Sequence, residues 1–439
     1  MAHETEAACL LRSGALYAQR LGLRSASGSL IFAGRKRGAF SLYCDDEPII
    51  HFDLEGRWQR AFLGGVHYLK ALDGTVAAID RVREGPSLVL HRRALDFAAT
   101  SDLDASIRSL ALDLIERLNS GHLAVIPPPE PAQPITTEDL LDLLERVSRW
   151  DAAAWFAQRE KYLDTYGPLP FLPPEAQQSV LLQATLGHAR GLAFGGAVPA
   201  EFYARTGPEF EQHARIVTGL LGRRILQCNA VFLAGPDVLR QPLENVEAYL
   251  RTIAAVFPLD RGPAPQRPRD LPEDRPSLGG VVAFLDDFTP PRPDRGAWDR
   301  LRALGLRRVS LGIESGSPRV RALHGKAWGD ESLRTLVSDL KEAGISARPV
   351  LLIGAGGRAF AEDHVKASAD LLNSLPMDRE DIVYLVDAAE LVEPSTCDPE
   401  TAPLTGPARA QQLSELKQRL APLRNLRGAK VVPYSLEKQ

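Results

Sequence analysis

The chain has 439 residues, 44% of them hydrophobic and 25% charged, with a formal net charge of −4. That length exceeds what one hydrophobic core ordinarily fills, so two domains are expected, and the slightly acidic balance excludes a general attraction for nucleic acid. Cys9, Cys44, Cys228 and Cys397 are too scattered for a zinc pattern or a disulfide framework. With no basic amino-terminal region and no apolar run of bilayer length, a cytoplasmic protein with reduced thiols and no membrane partner is expected.

In chain order, residues 29–33 and 39–43 are strand-like runs around Gly34-Arg35-Lys36-Arg37-Gly38, which predicts a hairpin. Turn residues at 45–48 then lead to a third strand at 49–53, and 87–91 reads as another. Ser101 or Asp102 is the expected cap of a helix carrying Leu103, Ile107, Leu110, Leu114, Ile115 and Leu118 on one face, with Gly121 at its end. Residues 1–126 are thus read as a small α+β domain. Its His51, Asp53, His67 and His91 match no metal-ligand spacing, and Trp58 and Tyr68 suit core packing.

The proline-rich segment 127–135 is the clearest linker, because proline lacks the amide donor and favours extended backbone. Residues 136–178 are read as a bridging helical segment whose first helix, with Leu140, Leu141, Leu144, Val147 and Trp150 on one face, packs onto the following domain. From 179 to 390, apolar runs at 180–184, 230–234, 281–285, 309–313, 349–353 and 382–386 alternate with helical patterns. Runs of this kind suit parallel strands buried on both faces. Right-handed crossovers would curl six such units into a partial barrel whose site lies at the strand C-terminal ends. Residues 258–276 read as a proline-rich surface excursion, and 391–439 as a helical extension.

One segment says more than the pattern. Arg308-Val309-Ser310-Leu311-Gly312-Ile313-Glu314-Ser315-Gly316-Ser317 resembles the fourth strand of a radical S-adenosylmethionine (SAM) barrel. Residues 179–185, 230–237, 341–345 and 349–357 resemble the first strand, the second strand and turn, the end of a helix and the fifth strand. The resemblance covers about 178–390 and is closest to the branch containing coproporphyrinogen dehydrogenases. It implies an α/β fold, a partial (βα)6 parallel barrel of radical SAM type; the smaller N-terminal α+β domain lies outside it. It also implies SAM-holding residues at Gly235, Asp237, Glu314, Ser315, Gly354 and Gly356. The plainer reading of the same residues is that the glycines make tight turns and Glu314 caps a helix or pairs with an arginine.

The family's first loop carries Cys-x3-Cys-x2-Cys, whose thiolates hold a [4Fe-4S] cluster. In this chain His188, Leu192 and Gly195 stand at those places. The expectation is therefore a protein without the cluster, one that binds a small molecule or a partner protein at the barrel mouth. The alternative is a SAM-dependent enzyme, either radical with unusual ligation or non-radical. No nucleophile elbow, phosphate loop or zinc-protease helix supports another enzyme class.

Overall fold

A computed structural model describes residues 19–45, 47–84, 87–128, 133–167, 172–187, 201–260, 275–387 and 402–434, with backbone alone for 81–84 and 87–91. Cys9, Cys397, the loop holding His188, Leu192 and Gly195, and most of the expected excursion at 258–276 lie outside the described residues.

The amino-terminal domain is built on one large, mainly antiparallel sheet. Strands β1 (Gln19–Ser25), β2 (Leu30–Lys36), β3 (Ala39–Cys44), β4 (Ile49–Asp53), β5 (Trp58–Leu63), β6 (Val66–Lys70), β7 (Val76–Glu84) and β8 (Ser87–Ala94) each pair with the next. Helix α1 (Phe97–Asn119) follows, then β9 (Leu123–Ile126) and the short β10 (Gln133–Pro134), which share the outer edge of β1. The expected hairpin and three-stranded meander are β2 to β4. Strands β1, β5 and β6 carry polar or charged residues at partly exposed positions and so give no long apolar run to read, while β7 opens with the buried run Val76-Ala77-Ala78-Ile79 that the sequence reading passed over. Helix α1 starts earlier than expected, because Asp96, not Ser101 or Asp102, caps it by accepting from the Ala99 N–H at 2.8 Å. Its first turn faces solvent, with Phe97 82% exposed, so the apolar stripe begins after the helix does.

Helix α2 (Thr137–Ser148) buries Leu140, Leu143, Leu144 and Val147. It buries them in the amino-terminal core, against Phe52, Trp58, Ile107 and Leu114, not against the second domain as the sequence suggested. Leu141 is only half-buried. The bridge is helix α3 (Ala152–Tyr166), whose Trp155 joins the amino-terminal core while Tyr166 joins the core of the second domain.

The second domain has seven parallel strands in chain order. They are β11 (Ser179–Gln183), β14 (Ala230–Ala234), β15 (Val281–Leu285), β16 (Leu306–Glu314), β17 (Ser346–Ile353), β18 (Ile382–Asp387) and β19 (Lys430–Tyr434); a two-stranded ribbon of β12 (Thr185–Leu186) and β13 (Tyr203–Ala204) lies between the first two. The connecting helices are α4 (Gly207–Leu221), α5 (Leu243–Val256), α6 (Arg295–Ala303), α7 (Pro318–Leu323), α8 (Asp330–Glu342) and α9 (Ala361–Ser374), followed by α10 (Gly406–Arg419) and α11 (Ala421–Arg427). A parallel sheet whose order never reverses, built from right-handed crossovers, keeps most of its helices on one face. The fold class is the α/β one expected, with an antiparallel domain before it. The strand count is corrected from six to seven: the carboxy-terminal segment is not purely helical, because β19 adds to β18 in parallel register from Ile382↔Lys430 to Val386↔Tyr434.

Edge strand β11 is shielded by side chains rather than by another strand. The Tyr166 hydroxyl donates to the Leu181 carbonyl at 3.0 Å, the Gln183 N–H donates to His213 Nε2 at 3.0 Å, and Arg205 Nε donates to the Gln183 carbonyl at 3.0 Å. Such cover prevents the edge from recruiting a foreign strand. As an acceptor, the buried His213 ring must be neutral, with its proton on Nδ1.

Candidate functional site at the barrel mouth

The two faces of the sheet separate by alternation. Leu285, Leu311, Ile313, Leu351 and Ile353 enter the core shared with the helices. The intervening residues point to the opposite face, where Val350 and Leu352 pack with Val320 of helix α7. A Cβ on Gly312 would meet Phe284 Cζ at 2.7 Å, Glu314 Oε1 at 3.0 Å and Asp286 Cβ at 3.1 Å, so these residues crowd one place on that face. Lower on it, Glu175 binds Arg308 at 3.1 Å and Arg348 at 3.2 Å and accepts from the Tyr384 hydroxyl, linking the approach to β11 with β16, β17 and β18.

At the strand C-terminal ends the side chains form two linked ionic groups. Lys326 Nζ lies 3.1 Å from Asp286 Oδ2 and 3.2 Å from Glu314 Oε2, and donates to the Asp286 carbonyl at 3.0 Å. Next to it, Arg240 reaches Asp237 Oδ1 and Asp287 Oδ2, both at 3.3 Å, and donates to the Thr289 carbonyl at 2.6 Å. Asp286 and Asp287 are consecutive, so the ends of β14, β15 and β16 bring four carboxylates close to Lys326 and Arg240. Glu314 adopts φ 56° and Asp237 φ 52°, a left-handed backbone unfavourable to any side chain with a Cβ. In β16 it accompanies a bulge between Gly312 and Glu314 against β17. Burial pushes the Glu314 carboxyl up to about 7, with Lys326 opposing and Asp286 adding to the shift.

The other residues singled out from sequence are placed as follows. Gly235 has φ 124°, and a Cβ there would lie 2.2 Å from Thr185 Oγ1 and 2.4 Å from its carbonyl oxygen, so Thr185 takes up the space at that turn. A Cβ on Gly356 would meet Val320 and Phe360 side chains at 2.8 and 2.9 Å, and one on Gly354 would meet Arg409 Cδ at 3.3 Å; the Gly354 N–H donates to Gln412 Oε1 at 2.7 Å. Ser315 is fully buried, with its hydroxyl 2.8 Å from His364 Nδ1 and accepting from the Ser317 N–H at 3.0 Å. Asp237 and Glu314 thus reach the mouth, whereas Ser315 and the glycines meet protein atoms. Sequence reading missed Lys326, Arg240, Asp286 and Asp287. The signal for the aspartates was present, since they directly follow the apolar run 281–285 at a strand C-terminal end. Lys326 lies twelve residues beyond Glu314 and no local pattern marks it.

In the amino-terminal domain, His51 Nδ1 is 2.7 Å from the Ser41 hydroxyl, and Asp53 pairs with Arg57. Among the described residues, no group of three or more His, Cys, Asp or Glu side chains is placed to hold a metal ion. Cys228 precedes β14 at the strand end opposite the mouth, and burial pushes its thiol up to about 11. No described helix is long and apolar enough to cross a membrane.

No protein-family model matches the chain, and no curated protein matches it. Among solved structures it is similar to the radical SAM methyltransferase TsrM from Kitasatospora setae (17% identity, TM-score 0.33, covering 50% of this chain and 39% of that one). It is also similar to coproporphyrinogen III oxidase, HemN, from Escherichia coli, a radical SAM enzyme (14%, TM-score 0.34, covering 50% and 44%). A third is HydG, a maturase of the [FeFe]-hydrogenase (13%, TM-score 0.36, covering 71% and 61%). The chain therefore spans less than two thirds of the length of each. The likeness is distant and one of fold alone, and no residue's role is carried over from it.

Proposed function

We propose that this chain is a radical-SAM-like protein that has lost the [4Fe-4S] site and serves as a non-catalytic pseudoenzyme, binding a small molecule or a partner protein at the barrel mouth. The observation that carries the reading is the donor set. The three places where the family supplies thiolates hold His188, Leu192 and Gly195, one imidazole and no thiolate, and such clusters rest on thiolate ligation. The described cysteines offer no substitute, because Cys44 belongs to the amino-terminal sheet and Cys228 sits at the far end of β14. The residues do not fit a cluster, and no radical step is derived. What persists is a polar, partly strained mouth around Glu314 and Asp237, suited to SAM or a related nucleoside held by hydrogen bonds without iron.

A second reading, a SAM-dependent enzyme, is favoured by one observation: a buried carboxyl pushed up to about 7 at a strand C-terminal end is suited to exchanging a proton near neutral pH. Anaerobic reconstitution with iron and sulfide, followed by metal analysis and a SAM titration, separates the two. The pseudoenzyme reading expects no stoichiometric iron, modest SAM binding and no SAM cleavage. A four-iron signal by Mössbauer or paramagnetic resonance would overturn it.

A further inference from the structure

We propose that the outer face of helix α3 is a dimer surface on which a second copy of this chain packs its own α3 in parallel. Phe156 and Leu163 meet their counterparts across the two-fold axis, and Arg159 of each copy pairs with Glu160 of the other. The surface is independent of what the barrel mouth binds.

Helix α3 has two faces with large apolar side chains, and the fold uses one. Trp155, Gln158, Thr165 and Tyr166 are buried, and Trp155 and Tyr166 tie the helix to the two domain cores. Phe156 and Leu163 are seven residues apart and so share a line on a different face, where they are 62% and 41% exposed. Helix α4 lies along the far flank of α3, since a Cβ on Gly219 would sit 3.9 Å from Lys161 Nζ. It leaves the Phe156–Leu163 line open. Large apolar side chains repeated along one line of an exposed helix suit the face of another helix.

The charges between the two apolar residues select the occupant. Arg159 and Glu160 are exposed and lie about 50° to either side of the Phe156–Leu163 line. Neither pairs with another charged side chain among the described residues. Two copies related by a two-fold axis running along the helices set Arg159 of each against Glu160 of the other, on both flanks. With the helices antiparallel, one flank sets Arg159 against Arg159 and the other Glu160 against Glu160. The pattern is therefore self-complementary in the parallel orientation. Opposite charges beside an apolar seam fix partner and orientation in paired helices, and a second copy supplies both signs at the required spacing. Two apolar layers of this size suit a weak, reversible dimer rather than an obligate one.

The test uses the full chain. Sedimentation over a concentration series at low salt should show a reversible monomer–dimer equilibrium that weakens as salt rises. Phe156→Glu should abolish the dimer and leave the melting temperature of the monomer unchanged, because the side chain is exposed. Arg159→Glu and Glu160→Arg each place like charges on both flanks and should weaken the dimer about tenfold. Combined, they restore opposite charges and should recover it. A wild-type chain that stays monomeric throughout the series overturns the proposal, as does a dimer indifferent to Phe156→Glu. So does a double variant no tighter than the single ones, because a pairing that does not join Arg159 to Glu160 gains nothing from the exchange. Should Phe156→Glu lower the melting temperature, the charge exchange alone decides.

Discussion

Arg57 Nη1 donates to the Leu220 carbonyl at 2.8 Å, joining the amino-terminal sheet to the C-terminal end of the first helix of the parallel domain. Arg57 Nη2 takes the next carbonyl, Leu221, and Nε binds Asp53 at 2.7 Å, with both charged side chains almost fully buried. A cation at this end of a helix satisfies free carbonyls and opposes the helix dipole. The domains are therefore held in register by a charge that neither can leave unpaired.

Arg57→Met should destabilise the whole chain by about 3–5 kcal/mol, because it strands a buried carboxylate as well as the helix carbonyls. Asp53→Asn combined with Arg57→Met should cost less than the sum of the single changes. Urea unfolding of the three variants checks this; strict additivity would mean the pair is not coupled.

Acid should weaken the fold through buried histidines. Burial foremost, with the charge of Arg205 adding, depresses His213 to about 4, and His51, His324 and His364 are likewise held at about 4. The unfolded chain then binds more protons between about 6.5 and 4, so this stability is full above about 6.5 and is lost as pH falls through about 4, at about 3 kcal/mol per histidine. His213→Gln keeps an acceptor for the Gln183 N–H and removes the titration. Its stability should fall less steeply between pH 7 and 4.5, by up to one proton in the slope; an unchanged slope would contradict the assignment.

Lys326→Met leaves Asp286 and Glu314 facing each other without their shared ammonium, at a cost of about 3 kcal/mol. Protonation relieves two apposed carboxylates, so the loss should be larger at pH 8 than at pH 5.5. Thermal unfolding at the two pH values reads this directly. A pH-independent loss would show that packing, not charge, is what Lys326 supplies.

The turn glycines should rank by what meets the added atom. Gly235→Ala drives a Cβ into Thr185 backbone and should cost well above ~2 kcal/mol. Gly354→Ala meets only the flexible Arg409 stem and should cost roughly 1–2 kcal/mol, the left-handed penalty alone. Equal losses in denaturant midpoint would contradict the close approach at Thr185.

His188→Cys, Leu192→Cys and Gly195→Cys introduced together should allow iron and sulfide to bind on anaerobic reconstitution, and each alone should not, because the cluster needs three protein ligands at once. Metal analysis decides. Stoichiometric iron in any single variant would mean that other residues already serve as ligands.

The parallel domain was legible because its strands are buried on both faces and so read as continuous apolar runs. Ala230–Ala234 and Val281–Leu285 lie where the sequence put them. Glu314 and Asp237 were singled out through the family resemblance, and Glu314 also because it ends such a run, where α/β folds concentrate polar residues. The strand Lys430–Tyr434 was missed: it is short, contains Pro433 and follows a helical pattern, features tolerated because it is an edge strand with one neighbour. The amino-terminal sheet was half hidden because strands such as Gln19–Ser25 mix glycine and arginine with two leucines, and their partners, not their composition, make them strands.

The sequence by itself determined the alternation of strands and helices, the order of the first six parallel strands and the lack of thiolates in the first loop, all local or periodic properties of the chain. Only the tertiary structure decided that helix α2 belongs to the first domain, that Arg57 holds the second, and that Lys326 sits between Asp286 and Glu314. These contacts join residues distant in sequence, and their energy comes from charges that burial leaves no water to satisfy.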